Sequence, residues 1–225
     1  MTEVLPRVEE RLGIAPGLFA GLRAEPNDWL FVVKSQAVLE AALVRALALR
    51  LRQPGVHGFL DEAGPPANAR LARALGLLTA GDEARLQQLM AVQVTFGRDV
   101  SNVAHASLGD HGDAWTAARQ AAFLRHAMGW PDTLCEGLGR SAAPLLWFGG
   151  LLKLMCWMAG AFVLVALHDA LQSAEEQALS RESPGGPAAG VPPRAGQLAT
   201  SLAEAMQELT QPIPAPSQKL TLKPI

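Results

Sequence analysis

Cysteine and charge are both scarce in this chain of 225 residues. Its two cysteines, Cys135 and Cys156, lack metal-ligand spacing, which excludes a cysteine-built metal site and reads as two unpaired thiols in a reducing compartment. The formal charge of −2 provides no global basic excess for nucleic acid. The start, MTEVLPRVEERLGIAPGLFAGL, is charged throughout and lacks the basic stretch and apolar block of a secretory signal. No stretch alternates apolar and polar residues long enough to suggest a sheet. GLGRSAAP at 137–144 has neither the spacing nor the lysine of a phosphate loop, and Ser141 and Ser173 lack a glycine-flanked nucleophile elbow. No cofactor is expected.

What the chain does have is apolar surface, 49% of its residues being hydrophobic. The run AAPLLWFGGLLKLMCWMAGAFVLVAL, residues 142–167, carries one charge, Lys153. Residues 145–167 as a helix cover about 35 Å, against a bilayer hydrocarbon core of about 30 Å. Lys153 opposes insertion by about 2.5 to 3.5 kcal/mol, and each Leu, Phe or Val offsets roughly 0.3 to 0.6 kcal/mol of it. The expectation is a single-pass membrane helix over 142–171, with the N-terminal domain cytoplasmic. The alternative is a wholly buried helix in a soluble bundle. Gly149, Lys153, Cys156 and Gly160 share one helical stripe, a packing face for a second copy or for the rest of the chain, with Lys153 snorkelling or finding a carboxylate.

The remaining pattern predicts an all-α fold: a helical bundle over 1–140, the hydrophobic helix, then a tail. Asp28 is placed to cap a helix to Arg52 with apolar residues at three- and four-residue spacing. Gln53-Pro54-Gly55 ends it, a short helix follows, and Gly64-Pro65-Pro66 breaks the chain before Asn68 opens a third. Asp82 is expected to cap a long helix to Ala104, and another is expected over 113–128. Beyond Leu171 a Pro/Gly-rich linker and disordered tail cover 172–225, with a short helix at 197–209 carrying Leu198, Leu202, Ala205 and Leu209 on one face.

Three segments, NDWLFVVKSQAVLEAAL at 27–43, NARLARALGLL at 68–78 and DEARLQQLMAVQVTFGRDVSNV at 82–103, give an order that resembles the HEPN superfamily, particularly uncharacterised bacterial members. The resemblance implies two long antiparallel helices at the centre. It also brings in ribonuclease chemistry, because active members carry an Arg followed several residues later by a His. In the register suggested by Phe96 and Asp99, Gln93 stands at the Arg position and Arg98 at the His position, so no acid–base pair survives there. A second register pairs Arg98 with His105, seven positions or two helical turns apart, starting roughly 10 Å apart along the axis.

His105 and His111 with Asp110 and Asp113 are a weaker candidate metal set, matching no established spacing. Two functions follow. The first is a non-catalytic, membrane-anchored interaction or regulatory protein, with the membrane and a homodimer as partners. The second is a membrane-tethered ribonuclease or RNA-binding regulator acting through Arg98 and His105.

Overall fold

The computed structural model describes residues 4–99, 101–140 and 144–182. Among them every regular element is helical, so the all-α class is shown. The short helices α1 (Val4–Arg11) and α2 (Leu18–Leu22) precede the long α3 (Asp28–Leu51). A 3₁₀ turn, Pro54–Val56, leads into α4 (His57–Ala74), which is followed by α5 (Ala80–Val92) and a π-helical turn, Gln93–Gly97. Then come α6 (Asn102–His105), α7 (Leu108–Asp113), α8 (Ala117–Met128), α9 (Asp132–Gly139) and α10 (Phe148–Glu182). The sequence-predicted helix at 197–209 and the rest of 183–225 lie outside the described residues.

Caps explain where these helices begin. Asn27, rather than Asp28, caps α3: its Oδ1 accepts from Leu30 N at 2.9 Å, which frees the Asp28 carboxylate for other partners. Thr79 caps α5 and Asp82 answers from the third helical position, a capping box in place of the expected Asp82 cap. Gly64 adopts φ 75° and ψ 166°, kinking α4 so that Pro65 starts a new run. The expected break is therefore present at Gly64, between two helical runs of α4.

The helix expected from Asp82 to Ala104 ends early. Arg98 N donates to Gln93 O at 3.0 Å, five residues back, and the helix closes in a π turn. Gly97 sits under α3 there, where an added Cβ would stand 3.1 Å from Val32 Cγ1. SLGDHGD at 107–113 forms α7, capped by the Ser107 hydroxyl, and Thr116 caps α8 separately. The helix expected over 113–128 therefore starts later, at Ala117, and the segment before it is a short helix of its own.

The hydrophobic run forms α10, which starts at Phe148 and continues to Glu182, beyond the expected 142–171. One helix, over residues 148–179, is long and apolar enough to span a membrane. It is also the element around which the others assemble, packing against α1, α3, α5, α7 and α8. Its tightest approach is to α7, made by glycines: a Cβ on Gly112 would stand 2.8 Å from Leu152 Cδ2, and one on Gly149 would land on Gly109 O and Asp113.

Candidate functional site

The expected packing face of α10 is occupied by other parts of the same chain. Gly149 N donates to Asp113 Oδ1 at 3.1 Å, so α7 supplies an N-terminal anchor for α10. Lys153 Nζ pairs with Asp28 Oδ1 at 2.9 Å, donates to Glu25 O, and lies 5.3 Å from the centre of the Phe31 ring. Of the two fates open to this lysine, it has found the carboxylate. Cys156 is buried and free. Gly160 receives the edge of Phe19, whose Cζ would be 2.6 Å from an added Cβ.

Phe19 is held there by an unusual support. Glu9 is 0% exposed, and its carboxylate accepts from the backbone amides of Gly17, Phe19 (2.6 Å) and Ala20 (3.0 Å), the uncapped start of α2. Trp157 Nε1 closes the seam by donating to Phe19 O at 3.1 Å.

Arg98 and His105 do not share a helix. Arg98 follows the π turn and is exposed, the chain leaves helical geometry at Asp99, and His105 ends the separate four-residue α6. The two-turn spacing that joins them in the sequence therefore has no continuous rod behind it. The His105 side chain lies outside the described atoms.

A different arginine and histidine converge beside the same π turn. Thr95 Oγ1 donates to Ala91 O at 2.9 Å, then accepts from Arg119 NH2 at 3.2 Å and meets His111 Nε2 at 3.2 Å. With the hydroxyl proton committed to Ala91, this geometry places the imidazole proton on Nε2. The Arg119 guanidinium lies 4.0 Å from the centre of the Trp115 ring and has no carboxylate partner among the described residues. Desolvation, reinforced by Arg119, pushes the His111 imidazole below its ordinary value and favours the neutral ring.

His111 also begins a chain of rings. It lies 5.3 Å from Phe96 and 5.7 Å from Trp115; Trp115 continues to Phe148 at 5.5 Å, Phe148 to Trp147 at 6.3 Å, and Trp147 to Trp130 at 6.1 Å. The cluster thereby couples the π turn to the start of α10. Arg119, Thr95 and Trp115 had no signal in the sequence, because three separate elements bring them together.

Of the candidate metal set, Asp113 is engaged by Gly149 N and His111 turns toward Thr95, and among the described residues no group of three or more His, Cys, Asp or Glu is arranged to hold a metal ion. His168 Nδ1 lies 3.2 Å from Asp169 Oδ1 near the far end of α10. Comparison with protein-family models, with curated proteins and with solved structures found no match to this chain.

Proposed function

We propose that this chain is a non-catalytic helical interaction or regulatory protein whose docking surface is one ridge of α10. A single observation supports it. Between residues 154 and 167 every residue is buried except Leu154, Met158, Phe162 and Ala166. These four recur at every fourth position and are all apolar, with Gly150 and Ala170 extending the same row. Rows at i±4 pack into matching grooves of another helix at about 50°. A second copy presents the same row across a two-fold axis, so the proposed partner is a homodimer.

The test is the mass of the full chain in solution by light scattering, with and without Met158→Glu. The expected result is a dimer that the substitution converts to a monomer of unchanged helical content. A wild-type chain that stays monomeric into the high micromolar range overturns the dimer.

A single-pass anchor with residues 1–140 cytoplasmic is the other arrangement compatible with α10, supported by its length and composition. Lipid would then replace the five helices that surround it. The Lys153–Asp28 pair and the Trp157–Phe19 hydrogen bond support keeping the helix in the bundle, since polar seams of this kind lose their partners on insertion. Carbonate washing of membranes separates the two: an anchored chain stays in the pellet and a bundle is released.

An RNA-binding or ribonuclease reading, the activity implied by the HEPN resemblance, draws on a separate observation, the unpaired Arg119 held over Trp115 close to the exposed Arg98 turn. Incubating the full chain with mixed RNA, alongside Arg98→Ala, His105→Ala and Arg119→Ala, tests it. Cleavage or binding lost in these variants would replace the interaction reading.

A further inference from the structure

A groove of about 530 Å³ runs between α3 and α4. It exists because of local sequence: α3 presents the small Ala37 and Ala41 to it, while the Gly64 kink and Pro65 bend α4 away. Its floor is apolar, formed in part by Leu43 and Leu60, at 1% and 0% exposure. Its polar lining is Glu40, His57, Asp61 and Asn68, with no lysine or arginine.

The unspent hydrogen-bonding capacity of that lining is mostly of one kind. Asn68 is 3% exposed; its Nδ2 donates to Leu60 O at 2.8 Å, and its Oδ1 is buried without a protein partner. Glu40 accepts from Gln36 Nε2 through Oε1 at 2.8 Å, leaving Oε2 unused. Asp61 has neither an ion pair nor a hydrogen bond among the described residues. The free atoms are therefore mostly acceptors, two of the groups are carboxylates, and the donors left are those of His57 and the second N–H of Asn68 Nδ2. A buried carbonyl oxygen left without a donor carries a desolvation penalty that a bound N–H would remove. A molecule that fits this wall brings donors and positive charge, with an aliphatic body to cover the floor.

We infer that the α3–α4 groove binds a small organic cation, a primary ammonium on an aliphatic chain, with Glu40, Asp61 and Asn68 Oδ1 receiving its N–H groups and Leu43 and Leu60 its carbons. An ammonium is a compact positive charge with three donors, the complement of a lining rich in acceptors and carboxylates. The size agrees with that of small-ligand sites, which run from about 300 to 1,000 Å³. The site is independent of the α10 ridge and does not depend on the dimer.

The test is a nuclear magnetic resonance titration of the full chain with n-pentylammonium, with pentan-1-ol and pentanoate as matched neutral and anionic probes. Saturable shifts at Glu40, Asp61 and Asn68 are expected with the ammonium alone. Asp61→Asn should weaken binding about tenfold, the scale of one charge-assisted hydrogen bond. Ala41→Phe, at an exposed position, should fill the groove and abolish binding while leaving helical content unchanged. The inference is overturned if the ammonium fails to saturate by about 50 mM, a affinity too weak to mark a built site. It also fails if pentan-1-ol binds equally well, or if folded Ala41→Phe binds as the wild type does.

Discussion

The ring of Phe19 occupies the space beside Gly160 that any larger residue would need: its Cζ would lie 2.6 Å from a Cβ there. Phe19 is fully buried and stacks on Trp157 at 6.2 Å, so it has nowhere to withdraw. Gly160→Ala should therefore destabilise by about 1 kcal/mol, overpacking exceeding the gain in helix propensity, and Gly160→Leu by more than about 3 kcal/mol. Gly150, on the same helix, meets nothing within 4 Å. Gly150→Ala should stabilise by about 0.5 to 1 kcal/mol. Urea denaturation of the three variants reads both signs.

The Glu9 carboxylate serves three amides at the start of α2. Glu9→Gln keeps the shape but removes the charge and turns an amide NH₂ toward backbone donors, at a cost of about 2 to 3 kcal/mol. The loss should be local first. Hydrogen exchange at Phe19 and Ala20 should accelerate before the rest of the bundle does.

Asp28 joins two distant parts of the chain, since Oδ1 pairs with Lys153 and Oδ2 accepts from Leu108 N at 2.9 Å. Asp28→Ala strands both donors and should destabilise by about 2 to 3 kcal/mol. Lys153→Met removes the cation while preserving the stem over Phe31, and should cost about 1 kcal/mol. Thermal unfolding of the two variants should rank them in that order.

The depressed proton affinity of His111 has a defined sign. A histidine neutral in the folded state and free to protonate when unfolded contributes stability that is present above about pH 6.5 and lost as pH falls through its folded value. His111→Asn should flatten the decline of stability below pH 6.5. Arg119→Gln should move the His111 resonance titration upward, which proton NMR follows directly.

The fold class and the long elements were legible because their signals are local: the spacing in α3, the Gly64-Pro65-Pro66 break and the apolar run from Leu154 to Leu167 in α10 each lie in neighbouring residues. The end of the helix after α5 was not, because the π turn at 93–97 depends on Gly97 lying beneath Val32 of a distant helix. Spacing placed Gly149, Lys153, Cys156 and Gly160 on one face but could not choose between a second copy and α2, α3 and α7. The Arg119–Thr95–His111 convergence was invisible, since no periodicity relates residues on three separate elements.

The helix that fills the middle of this bundle, α10, is the last of the described helices to be made. Phe19 waits for Trp157, 138 positions downstream, and Arg11 for Glu175, 164 downstream. During synthesis, α1, α3 and α5 therefore emerge with the surfaces meant for α10 still uncovered, and long-range closure of this kind is slow and prone to aggregation. Vectorial synthesis makes α10 a checkpoint: a message truncated before residue 148 yields helices without a centre, which quality-control proteases should remove.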